Sequence, residues 1–228
     1  MSATTSENTA VVAAVRGRAV ALVGSLTFLV AYLLVAPVAG ALSNADIPQP
    51  DDAASVLVSY YSDNAAAAYA GAWLQALSVL GFAAFAFAVV RTLRSAGSVV
   101  GRRLSGIAVV SVIAMLVSSA LTTALPLVVA DVEPETVGVL RDASFYAGGV
   151  ANVVTLGLFA WLASRELAGH HLVGRKTKVL GTIAGVLCAL SVLSLAVYVA
   201  NLFLPLGRLL AMVWTVAAAV GMWRAARR

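Results

Sequence analysis

Residues 104–130 read LSGIAVVSVIAMLVSSALTTALPLVVA, with no Asp, Glu, Lys, Arg or His. A helix rises 1.5 Å per residue, so about 20 such residues cross the roughly 30 Å of hydrocarbon in a bilayer. The run decides the fold class because it recurs, at 19–42, 66–90, 145–164, 179–201 and 205–223. The first four of these are equally free of ionisable residues. The last carries Arg208 near its start, where a long side chain is expected to snorkel to the interface. Its purely apolar part, 209–223, is short for a span.

Composition agrees. Of 228 residues 61% are hydrophobic and 11% charged, and mean hydropathy is +0.97. A soluble domain carries about 25% charged residues, because its surface must face water. The fold class expected is therefore all-α: a polytopic bundle of six transmembrane helices, built as tandem hairpins. A single cysteine, Cys188, excludes an intramolecular disulfide and any cysteine-pair metal motif. The net charge of +5 lies at the ends of apolar runs rather than on one soluble face, so no nucleic-acid partner is expected.

Position explains the charge better. Arg16, Arg18, Arg91, Arg94, Arg102, Arg103, Arg165, Arg175, Lys176, Lys178, Arg224, Arg227 and Arg228 fall on one side, 13 of the 15 Lys and Arg. Arg141 and Arg208 fall on the other with eight of the ten acids, among them Asp46, Asp63 and Asp131. By the positive-inside rule both termini are cytoplasmic and the protein belongs to the cytoplasmic (inner) membrane. Residues 1–15 are expected to be a disordered cytoplasmic tail, and 16–228 one six-helix domain. Ala39-Gly40-Ala41 resembles a signal-peptide cleavage site, but the run before it is longer than a signal's apolar core, which favours a retained helix.

The first external loop, 43–65, is the long one. Pro48 and Pro50 precede Asp51 and Asp52, acids that suit a helix start. Ala53, Val56, Leu57, Tyr60, Tyr61 and Asn64 follow at helical spacing, giving an amphipathic helix at about 51–64. It would lie on the membrane surface with Tyr60 and Tyr61 as interface anchors, or form a lid over an external cavity.

Two spans share a pattern, Y-A-G-x3-[QN]-x2-[ST]-x3-F, at 69–82 and 146–159. It places Gln75 and Ser78 on one stripe of the second span and Asn152 and Thr155 on one stripe of the fourth. Small residues let helices approach, and amides and hydroxyls bond across them for about 0.6 kcal/mol on average, so a packing seam is one reading. The other is that Gln75, Ser78, Asn152 and Thr155 line a polar, ligand-binding cavity. The repeated units point the same way through the membrane, unlike the inverted repeats of many transporters.

Catalytic motifs are not found. Intramembrane hydrolysis needs a nucleophile with a base or an H-E-x-x-H metal motif, and ion coupling needs an ionisable group at mid-depth. The two histidines, His170 and His171, are adjacent, so on a helix they would not face one another. Arg141-Asp142 reads as an interfacial ion pair, or as a contact for a polar ligand. No metal, cofactor or catalytic residue is expected. The basic loops would attract anionic lipid head groups, although topology already explains them.

The stretch VLVSYYSDN at 56–64, followed by AWLQALSVLGFAAFAFAVVRTLR at 72–94, GRRLS at 101–105 and DVEPET at 131–136, resembles a group of small six-helix integral membrane proteins of GC-rich bacteria. That resemblance implies the bundle but no activity. Such proteins often carry His and Arg after the Asp, where this chain has Asn64 and four alanines. Two functions remain. One is a non-enzymatic structural or partner-binding membrane protein, working as a homo-oligomer or with another membrane protein in the lipid bilayer. The other is a carrier or binding protein for a small, weakly polar or lipid-like molecule.

Overall fold

The computed structural model describes residues 3–49, 52–195 and 201–225; among them there is no strand. The helices are α1 (Ala3–Leu42), α2 (Ala54–Asp63), α3 (Ala65–Ser95), α4 (Gly101–Val128), α5 (Pro134–Phe145), α6 (Asn152–Gly169), α7 (Arg175–Leu190) and α8 (Phe203–Ala225). A π-helical turn, Tyr146–Ala151, joins α5 to α6, and a 3-10 turn, Ser191–Leu195, ends α7. Six stretches are long and apolar enough to span: Gly17–Leu42, Ala65–Ser95, Gly101–Val128, Pro134–Gly169, Arg175–Leu195 and Phe203–Ala225. The protein is an all-α, multi-pass membrane bundle. Helices solve the problem hydrocarbon poses, since each backbone N–H and C=O is satisfied within its own segment.

The spans pack in chain order, α1 on α3, α3 on α4, α4 on α6, α6 on α7 and α7 on α8, and α8 closes the ring against α1. The centre is filled by rings meeting edge to face. Phe82 lies 5.3 Å from Phe159, and Trp214 lies 5.8 Å from Phe85 and 6.3 Å from Phe159. Such pairs contribute about 0.5–1.5 kcal/mol each beyond burial. This plug divides the bundle into an acidic end, where α1 runs out and α2 and α5 lie, and a basic end with the α3–α4 and α6–α7 turns.

Lipid tails are as apolar as leucine, so close packing rather than water exclusion joins spans. The α1–α3 crossing shows how. A Cβ on Gly81 would stand 2.6 Å from the Phe28 nitrogen and 2.7 Å from the Gly24 carbonyl oxygen, and the backbones touch because neither glycine has one. The Ser78 hydroxyl crosses the same contact to donate to the Phe28 carbonyl at 2.7 Å.

Several boundaries differ from expectation. Helix α1 starts at Ala3, so the segment expected as a tail overlaps its first turns, and it becomes apolar enough to span from Gly17. Residues 131–142, expected as an external loop, are mostly the helix α5, started by Pro134 at a position where no N–H is needed and by Glu135 in the first turn. The fourth span is longer accordingly. The fifth was expected to reach residue 201; its α-helix ends at Leu190, where the hydroxyls of Ser191 and Ser194 bond back to carbonyls three residues earlier, and residues 196–200 lie outside the described residues.

Helix α2 is present, and its two tyrosines pack against the bundle rather than standing free as interface anchors. Leu57, Tyr60 and Tyr61 are buried with Leu125, Val129 and Val137, so α2 docks on the end of the bundle. Asp51 lies outside the described residues. The Asp52 carboxylate does not cap α2; it accepts the Gln49 N–H at 2.6 Å, and the helix starts after Ala53 with no side-chain cap.

Replacing Gly81 by valine should push α1 from α3 and lower stability by about 1–3 kcal/mol, the usual range for overpacking. Gly106, with nothing within 4 Å of its Cβ position, is the control: Gly106→Val should leave the melting temperature in detergent unchanged.

Candidate functional site

The four stripe residues separate into two roles. Ser78 is buried in the α1–α3 contact. Asn152 is buried between α6 and α4, where its Nδ2 donates to the Ser111 carbonyl at 2.9 Å and to Ser111 Oγ at 3.0 Å. Thr155 bonds back to the carbonyls of Ala151 and Asn152 on its own helix. Ser78 and Asn152 bond across helices as a packing seam would, and Thr155 does not. Gln75 is different: half-buried, it makes no hydrogen bond among the described residues and lines a cavity of about 270 Å³ at the acidic end.

The residue that organises that cavity is Arg208. Snorkelling to an interface was expected. Instead Arg208 is 8% exposed, five residues into α8 and so roughly 8 Å along it. Among the described residues no carboxylate pairs with it. Its Nη2 donates to the Gly148 carbonyl and, at 3.3 Å, to Asn152 Oδ1, and the guanidinium lies 5.3 Å from the centre of the Tyr32 ring. Nε is buried with no hydrogen-bond partner among the described residues.

Each contact has a cause in the local sequence. The π turn Tyr146–Ala151 contains Gly148 and Gly149, weak α-formers. In a regular α-helix the Asn152 N–H would take the Gly148 carbonyl; here it bonds to Ala147, and Gly148 is left to accept from Arg208. Gly148 must be glycine, since a Cβ there would collide with the side chain of Ser118. Ser111 holds both donors of the Asn152 amide, which turns its oxygen toward Arg208. The expectation that Arg208 snorkels to the interface is thereby corrected: it is enclosed within the bundle.

A second guanidinium, Arg141, lines the same cavity. Its Nη2 donates to the Pro48 carbonyl at 3.3 Å, and it lies 5.9 Å from the Phe145 ring centre. The ion pair with Asp142 proposed from sequence is not formed among the described residues. Tyr61 brings α2 to the cavity and forms part of its wall. Burial pushes the Tyr61 phenol above its ordinary range, and the adjacent Arg141 partly offsets this. The hydroxyls of Ser118, Thr122 and Ser144 complete one wall and bond to each other at 2.9–3.0 Å.

Among the described residues the lining thus holds two cations, a free amide and aromatic faces, and no carboxylate, imidazole or thiol. Guanidinium groups bind carboxylates and phosphates through paired N–H donors, so the chemistry offered is capture of an anion. Sequence reasoning missed Arg208 because an arginine near the end of an apolar run looks the same whether it reaches for water or is enclosed. The available signals were the Gly148-Gly149 pair and the shortness of the apolar run after Arg208. No protein-family model, curated protein or solved structure matches the chain.

A buried ion without a counter-ion costs several kcal/mol after relaxation. Arg208→Met should therefore melt at the same temperature as the parent protein or higher; a large fall would identify Arg208 as a structural pin. Tyr61 gives a pH test. Its neutral form is favoured in the fold, so the docking of α2 is intact below the ordinary phenol value near 10 and weakens as pH rises through the higher folded value. In Tyr61→Phe the alkaline loss of α2 protection, read by hydrogen exchange, should shrink.

Proposed function

We propose that the protein is a binding protein or carrier of the cytoplasmic membrane for a small organic anion with an apolar part, held in the Arg208 cavity. One observation carries this: a buried arginine that, among the described residues, has no carboxylate partner and an unpaired Nε lines a cavity that a second arginine shares. A protein that needed only packing at this place would gain by replacing the charge. An anion would supply the missing acceptor, with Gln75 free to contact its polar group and Tyr32, Phe145 and Leu204 its apolar part. At about 270 Å³ the cavity sits just below the usual range for drug-sized ligands, which favours a small molecule. The sequence suggested a weakly polar ligand; the two arginines make an anion the better fit.

The basic end would be cytoplasmic by the positive-inside rule, which places both termini inside and the cavity mouth outside. No catalytic step belongs to this proposal, since among the described residues the three wall hydroxyls have no neighbouring base to activate them. A structural or partner-binding role is the competing interpretation, favoured by the seam contacts of Ser78 and Asn152.

Thermal melting of the purified protein with matched pairs of ligands, such as a short alkyl carboxylate and its amide, tests this. The carboxylate should stabilise the protein, by about 2.7 kcal/mol at a hundredfold excess over Kd, and the amide much less. Arg208→Met should abolish the difference. Equal effects of acid and amide, or an unchanged response in the variant, would favour the structural role.

A further inference from the structure

The basic end holds a separate crevice. Between the inner halves of α3 and α4 runs a groove of about 440 Å³ with small floor residues, Ala86 and Ala108, and walls that include Phe87, Val90, Val109 and Ile113. On α3 its lining extends from Ala83 to Ser95, roughly 18 Å of helix. Arg91 and Arg94 stand at its basic end. Arg94 also lines an adjoining cup with Ser98, Arg102 and Arg103. Its position is built: its stem passes where a Cβ of Gly101 would be, 2.8 Å from Arg94 Cγ, and its Nη2 donates to Ser105 Oγ at 3.1 Å. The Ser98 hydroxyl, which lines the cup, donates to the Glu166 carboxylate at 2.7 Å.

We propose that this crevice is a site for an anionic phospholipid, with one acyl chain along the α3–α4 groove and the phosphate on Arg94, Arg102 and Arg103. The two halves of the site match the two halves of such a lipid in polarity and order. Within a bilayer an acyl chain gains little by exchanging lipid neighbours for protein ones, so the selectivity must come from the head group. Three arginines line one cup that has no carboxylate among its described lining residues, which favours a negative head group over a zwitterionic one. The site is distinct from the Arg208 cavity, because the aromatic centre lies between them.

Native mass spectrometry of the detergent-purified protein, titrated with phosphatidylglycerol or phosphatidylcholine of identical chains, is the test. The parent protein should retain the anionic lipid preferentially. Neutralising Arg94, Arg102 and Arg103 to glutamine should erase the preference, at about fivefold per arginine. Neutralising Arg175, Lys176 and Lys178 on the same end should leave it. Val109→Trp, at an exposed wall position, tests the groove without touching charge and should lower retention of phosphatidylglycerol. Equal retention of both lipids by the parent protein, equal losses from the two charge variants, or full retention in Val109→Trp would overturn the proposal.

Discussion

An arginine enclosed in a membrane bundle, with no carboxylate among the described residues to answer it, is the constraint on which the acidic half of this protein depends. Removing a guanidinium from water costs several kcal/mol even after relaxation, and the surrounding elements supply only neutral compensation. The π turn diverts the Asn152 N–H and leaves the Gly148 carbonyl for Arg208. Ser111 turns the Asn152 amide oxygen toward the same group, and Tyr32 offers a ring face. The remaining capacity, an unpaired Nε, belongs to a residue that lines the cavity and suits an anion arriving from outside the chain.

The rest of the bundle works as a frame for that cavity. Glycines at the α1–α3 crossing bring backbones into contact, where lipid gives no hydrophobic push. Rings from α3, α6 and α8 fill the middle, so the cavity has a floor rather than a continuation. Helix α2 covers its end by burying Leu57, Tyr60 and Tyr61 against α4 and α5. The proposed small anion would meet Arg208 and Arg141 inside the otherwise acidic end, and the proposed lipid phosphate the arginines of the basic end.

Most of the fold was legible in the sequence because hydrocarbon imposes so strict a rule. Uninterrupted runs such as 104–130 have one stable solution in a bilayer. What hydropathy cannot carry is which way a residue faces. The spacing of Gln75 and Ser78 correctly puts them near one stripe, yet Ser78 meets α1 at the glycine crossing while Gln75, about one turn outward, meets a void. Arg208 and an interfacial arginine are identical in sequence; the difference arises from α6, whose widened turn meets α8 at that level. Helix α5 was hidden for a different reason: its charged residues resemble a loop, and only Pro134 and Glu135 mark a helix start.

A structure determined in native lipid would be the most direct measurement. Density for a bound anion within about 3 Å of the Arg208 guanidinium, with Gln75 turned toward it, is the expected result. A cavity holding only water, or a guanidinium swung out to the membrane surface, would contradict the central claim that Arg208 is buried to hold an anionic ligand.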